Sequence, residues 1–229
     1  MIKGALLQSN YIPWKGYFDI INQVDIFIVY DTVQYTKNDW RNRNRIKTPT
    51  GVKWLTIPVI QEKLGQPINL TRVADSRWRR KHWKAICQNY NKSEFFKNYY
   101  QCFEEAYLNC DQVMLSAINL KFIKLICELL GIKTEILDAS DFIVSGNKSE
   151  RIVEICKNAG VQHYISGPAA RDYIDETVFS DNHIVLSYMD YTGYLEHPQL
   201  YPPFDHSVSI IDLIFNTGPN YKQYMKSFS

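Results

Sequence analysis

The residues most able to do chemistry lie in a few dense polar stretches. The first is Gln8-Ser9-Asn10-Tyr11-Ile12-Pro13-Trp14-Lys15-Gly16-Tyr17, between a short apolar run and a helical pattern. Open α/β sheets bind ligands where a strand ends and a helix begins, and free N–H groups there face anions. Gln8, Asn10, Tyr11, Trp14 and Lys15 are candidate contacts, and Gly16 allows close approach. A tight turn with a Trp–Pro contact is the plainer alternative. The second stretch holds Asp31, Gln34, Tyr35 and the run Trp40–Lys47. Its alternation puts Arg41, Arg43, Arg45 and Lys47 on one side, and Asn42, Asn44 and Ile46 on the other. Adjacent guanidinium groups repel unless an anion lies across them, and Arg binds phosphate through paired donors. An edge strand protected by charge would read the same way, but Asn is a poor strand former. A phosphate or pyrophosphate is the expected anion.

Three further stretches are weaker. Arg77-Trp78-Arg79-Arg80-Lys81-His82-Trp83-Lys84 interleaves cations and indoles, as in single-strand nucleic-acid binding. A solvated helical face with Trp78, Trp83 and Ile86 turned inward explains it equally simply, so a nucleic-acid partner is not expected. Tyr164-Ile165-Ser166-Gly167-Pro168 is another strand running into a turn, and adds Ser166 as a candidate contact. Asp205-His206-Ser207 resembles a hydrolase triad only in name: neighbours in a chain do not point at one another, and no G-x-S-x-G elbow exists. His206 stays a candidate base and Ser207 a candidate helix cap. The histidines are scattered and HExxH is absent, so no metal site is expected.

The elements that must position these groups can be read from periodicity. Residues 2–7 and 25–30 are apolar runs expected as buried strands, with a helix over 15–23 between them. That strand–turn–helix–strand start favours a parallel sheet. A β-hairpin is expected over 41–59, a loop over 60–76, and helices over 77–90, 93–108 and 112–130. Strands follow at 133–138, 163–166 and 184–188, with helices over 145–159, from 169 and from 207. The fold class is α/β: a parallel-sheet, nucleotide-binding-like core with a β-hairpin and a helical insert at about 77–130. The 229 residues suit a single domain, 1–229.

Composition narrows the function. Net charge is +2, which argues against a dedicated duplex-binding protein. Five cysteines without CxxC spacing fit reduced thiols in a cytosolic chain. No signal peptide or membrane span is apparent, so cytoplasmic location without membrane insertion is expected. Aromatic residues reach 14%, including 16 Tyr. Such an excess signals a wet core boundary or an aromatic-lined pocket; its clustering at strand ends favours the pocket.

The blocks QSNYIPWKGYFDII, DIFIVYDTVQYTKNDWRNRNRIK, WLTIPV, YISGPAARDYI and FDHSVSIIDLIFNTG resemble the WbqC-like family, in order and over nearly the whole chain. That family is found with surface-polysaccharide (O-antigen) genes. The resemblance implies a role in making or decorating nucleotide-linked sugars. The turn NYIPWKGYFDII also looks like the nucleotide-binding turn of the pantothenate-synthetase and nucleotidylyltransferase group, some of which use ATP to form amides. Here it reads Pro13-Trp14-Lys15-Gly16-Tyr17, without the two histidines of that group's signature. The expected activity is acyl or aminoacyl transfer to the amine of a nucleotide-linked sugar, with ATP or an acyl donor as co-reactant. Asp31 or His206 would take the amine's proton. Binding of a nucleotide sugar, glycan or single-stranded nucleic acid without catalysis is the alternative.

Overall fold

The computed structural model describes residues 1–228. In chain order the first elements are β1 (Lys3–Leu7), α1 (Lys15–Asn22), β2 (Ile26–Val29), the hairpin β3 (Arg43–Thr48) and β4 (Gly51–Thr56), and the short β5 (Val59–Ile60) and β6 (Arg72–Val73). Three helices follow: α2 (Trp78–Tyr90), α3 (Phe96–Leu108) and α4 (Leu115–Leu129). The chain ends with β7 (Glu135–Asp138), α5 (Lys148–Asn158), β8 (His163–Ser166), α6 (Glu176–Asp181), β9 (Val185–Tyr188) and α7 (Ile210–Thr217).

Strands covered on both faces read as continuous apolar runs, and β1 and β2 do. Successive side chains go to opposite faces. Ala5, Phe27 and Val29 therefore pack with α1, α4 and α7, while Leu6, Ile26 and Ile28 pack with α5 and the Phe179 end of α6. The five-stranded sheet is wholly parallel, in the order β7-β2-β1-β8-β9. The chain builds outward from β1 to β7, then returns to the other side of β1 for β8 and β9. The strand order reverses between β1 and β8, the place where such sheets open a ligand crevice. Pairing there stops at Gly4 with Tyr164, so the two strands part toward their C-terminal ends.

The hairpin and the three consecutive helices fall where periodicity puts them. Segment 60–76 is not all loop: β5 pairs with β6, and Ile68–Leu70 form a 3-10 turn, all too short to show alternation. The helix expected from 169 is a 3-10 turn at Pro168–Asp172, then α6, whose N-terminal Thr177 N–H is capped by Asp175. The last helix is capped by Ser209, not Ser207.

Helices α2 to α4 carry their own buried polar chain. Trp78 and Trp83 are buried, so the basic octamer turns its indoles inward. His82 Nε2 lies 3.1 Å from the Thr56 carbonyl. A carbonyl only accepts, so Nε2 carries the proton. Nδ1 then accepts from the Tyr11 hydroxyl at 2.9 Å, which in turn accepts from Tyr107 at 2.7 Å. Burial pushes the His82 imidazole down to about 4 from 6.5. The unfolded chain therefore binds a proton that the folded chain refuses between these values. Stability should fall as pH drops from about 6.5 toward 4, by about 3 kcal/mol at the lower limit. Chemical denaturation across that range should show the loss in the wild type and a flatter slope in His82→Gln; equal slopes would contradict it.

Candidate functional site

The turn after β1 is shaped by three local constraints. Ile12 has φ +37, a conformation that costs a β-branched residue on the order of 1–3 kcal/mol. It is retained because Asn44 on β3 donates to the carbonyls of Tyr11 at 3.0 Å and Ile12 at 2.8 Å. That bracket explains an Asn in mid-strand. Asn42 does a similar job, donating to the Ile57 carbonyl at 2.9 Å. Gly16 is required by close approach, though not of a ligand: a Cβ there would overlap the indole of Trp14. Trp14 is also packed edge-on against Tyr191 at 5.0 Å and Tyr194 at 5.9 Å.

Above this turn, at the parted ends of β1 and β8, lies a cavity of about 670 Å³. Gln8, Asn10, Trp14, Gln34, Arg41 and Ser166 from the sequence-derived set line it together. Tyr30, one of the aromatic residues at the strand ends, also lines it, as does Lys148, which lies outside the polar stretches read as candidate contacts. Lys148 opens α5, which follows β7 at the same sheet edge, so the strand-end argument already applied to Gln8 could have found it. Among the described residues the lining carries two cations, Arg41 and Lys148, and no carboxylate. Arg41 donates to Asn10 Oδ1 and has Asp39 at 3.7 Å. The Lys148 ammonium sits 3.2 Å from the centre of the Tyr173 ring. Burial raises the Tyr30, Tyr173 and Tyr191 hydroxyls above their usual range, so these phenols stay neutral. The cavity is thus an aromatic-walled, net cationic space. A second compartment of about 250 Å³ adjoins it, lined by Asn10, Pro13, Trp14, Trp40, Asn44 and Ser207.

The other sequence-derived residues are placed outside the larger cavity. Tyr11 and Tyr35 are core residues. Lys15 is buried, donates to the Leu195 carbonyl at 3.0 Å and lies 4.7 Å from the Tyr194 ring centre. Burial pushes its ammonium down to about 8, partly opposed by Asp19. Arg43 and Arg45 escape mutual repulsion by stacking on indoles: Arg43 lies 4.2 Å from Trp54, and Arg45 lies 5.8 Å from Trp40. Arg45 also bonds the Ser207 carbonyl at 2.9 Å and has Asp205 at 3.6 Å. Arg43 and Arg45 therefore form a packed indole–guanidinium ladder with Trp40 and Trp54, and among the described residues Arg41 is the arginine of this face that lines the cavity.

Neither candidate base lines the larger cavity or the compartment beside it. Asp31 is fully buried. It accepts from the Ser9 N–H at 2.8 Å, from the Ser9 hydroxyl at 2.6 Å and from Ser116. Burial raises its carboxyl pKa, and the Ser116 and Ser9 bonds oppose the rise. His206 stacks edge-on against Phe204 at 4.5 Å, and burial pushes it down toward the neutral form. A further polar cluster had no signal in spacing: Asp212, fully buried, accepts from His197 and from Tyr90, each at 2.8 Å. These residues come from three distant segments. No group of His, Cys, Asp or Glu able to hold a metal ion occurs among the described residues. The Cys87 thiol is pushed up to about 11, and those of Cys127 and Cys156 to about 12, by burial, which keeps them un-ionised.

Gly16→Ala should displace the Trp14 indole, and Asn44→Ala should release the Ile12 turn. Each is expected to destabilise by about 1–3 kcal/mol and to disturb the same cavity wall. Thermal melting and tryptophan fluorescence check this. A Gly16→Ala protein with unchanged melting and emission would show that the indole does not lie over that glycine.

The chain is 42% identical over 230 residues to the uncharacterized protein Rv1507c of Mycobacterium tuberculosis, covering 99% of this chain and 100% of that protein. No solved structure matches. Among the described residues no helix is long and apolar enough to cross a membrane. The pattern of the WbqC-like protein family matches residues 8–224, and the chain belongs to that family.

Proposed function

We propose that this protein is an enzyme of bacterial surface-polysaccharide (O-antigen) sugar biosynthesis that binds a nucleotide-linked amino sugar and forms an amide on its amine, in the cytoplasm. One observation carries the binding half of this reading: among the described residues, the walls of the cavity at the reversal of strand order carry two cations, seven aromatic side chains and no carboxylate. Arg41 and Lys148 suit a diphosphate, since each can give charge-assisted hydrogen bonds to its oxygens. Trp14, Trp40 and Tyr173 offer flat faces for a base or sugar, and the amides of Gln8 and Gln34 offer both donors and acceptors. The size falls within the range of about 300–1,000 Å³ usual for small-molecule sites.

The amide-forming half rests on family context. In that step the sugar amine attacks the acyl carbonyl, a C–N bond forms, the bond from the carbonyl to the donor's leaving group breaks, and the amine's proton passes to that departing group, directly or through water. Asp31 serves it by holding the turn that carries Asn10, not as the base. A second reading, binding without turnover, draws support from the same walls. No histidine or carboxylate lines the larger cavity among the described residues, so no side chain there is an obvious proton acceptor.

Titration calorimetry of the full chain with dTDP- and UDP-linked amino sugars should give saturable heat with at least one of them. Arg41→Ala and Lys148→Ala should each weaken it roughly tenfold or more, the usual loss on removing one charge-assisted contact. No heat with any nucleotide sugar would overturn the reading. Incubation with the bound sugar and an acyl donor, followed by mass spectrometry, separates the two readings: an acylated sugar supports the enzyme, and binding without product supports the binding module.

A further inference from the structure

We infer that the smaller compartment holds the pyranose ring of the linked sugar, while the diphosphate and nucleoside occupy the larger cavity. The inference rests on the nucleotide-sugar reading above and adds a direction to it. Charge divides the two spaces. The larger holds both cations, whereas no ionisable side chain lines the smaller among the described residues. A nucleotide amino sugar divides in the same way, into a dianionic diphosphate that needs cations and a ring that carries no negative charge and needs none.

Size points the same way. The smaller compartment measures about 250 Å³. A cavity of about 150 Å³ accepts a bare six-membered ring, so a ring bearing hydroxyls fits and a nucleoside with its phosphates does not. Asn10, Trp14 and Trp40 line both spaces, so one molecule can cross from one to the other.

The wall chemistry is that of carbohydrate recognition. Indole faces meet the apolar C–H faces of a pyranose, and neutral amides and hydroxyls meet its hydroxyl groups. Asn10 Nδ2 and Ser207 Oγ make no hydrogen bond with the described residues, which leaves both for a ligand. Asn44 is different: its Oδ1 accepts from the Arg45 N–H at 2.7 Å and its amide holds the Ile12 turn, so it shapes the wall. The two indoles are fixed before any ligand arrives. Trp14 lies over Gly16, and Trp40 is backed by Trp54 at 5.3 Å and by Arg45. Fixed walls reduce the ordering cost of binding.

The test compares nucleoside diphosphates with their sugar derivatives on the full chain, by calorimetry, using UDP, dTDP and their amino-sugar conjugates. Wild type should prefer the conjugate over its parent diphosphate by about tenfold or more, an advantage of the size expected from added ring contacts. Ser207 is exposed, so Ser207→Phe and Ser207→Leu can fill the compartment without loss of thermal stability. Both should keep diphosphate affinity within about threefold and lose the preference for the conjugate. A preference that survives in both variants, or is absent from the wild type while UDP or dTDP still binds, overturns the inference and leaves the nucleotide site standing. Absence of affinity for diphosphates and conjugates alike overturns both.

Discussion

The Asp31 carboxylate is fully buried, and three donors from two other parts of the chain close on its oxygens. Burying a carboxylate costs several kcal/mol, which only well-placed hydrogen bonds offset. Asp31 follows β2, Ser9 follows β1, and Ser116 stands on α4. The bonds therefore fix the end of the central strand to the end of its neighbour and to the helices beyond. Asn119 lies three residues along α4 from Ser116, on the same helical face. It donates to the Ser9 hydroxyl at 2.9 Å and to the Arg41 carbonyl at 2.8 Å. Removing the carboxylate would leave the strand-end turn, the helix and Arg41 without their common anchor.

Helices α2 to α4 thereby acquire a purpose beyond packing. They supply Ser116 and Asn119, and through Tyr107 and His82 they hold the Tyr11 ring beneath the turn. The opposite wall depends on another buried carboxylate. Asp19 on α1 accepts from the Ser227 N–H at 2.9 Å, from Lys226 N–H at 3.1 Å and from the Tyr194 hydroxyl. That cluster secures the C-terminal segment and the Tyr191–Tyr194 loop against Trp14. The cavity is thus clasped from both ends of the chain, and the buried carboxylates act as fasteners.

Several features were legible because they are local. The apolar runs at 2–7 and 25–30, the polar turn between them and the alternation over 41–47 each carry their signal within a few residues, and the sheet edge with Gln8, Asn10, Trp14 and Arg41 follows from them. Partners distant in sequence were not legible. Arg43 and Arg45 read as an anion-binding row because Trp54 and Asp205 could not be placed beside them. Asp31 and His206 read as bases because nothing local showed Ser9 and Ser116 closing on one, or Phe204 stacking on the other. Burial reverses the meaning of a titratable group, and burial is a property of the fold as a whole. The aromatic excess divides likewise: Tyr11, Tyr90 and Tyr107 are core, while Tyr30, Tyr173 and Tyr191 line the cavity.

The proposed nucleotide-linked ligand is anionic and would lie across the reversal point of the sheet with its phosphates between Arg41 and Lys148. A crystal structure of the full chain grown with a UDP- or dTDP-linked amino sugar tests it most directly. Density for the diphosphate is expected at the parted ends of β1 and β8, in contact with both cations. A ligand bound instead along the exposed Arg77–Lys84 helix face or on the outer face of the hairpin, with the cavity vacant, would contradict it.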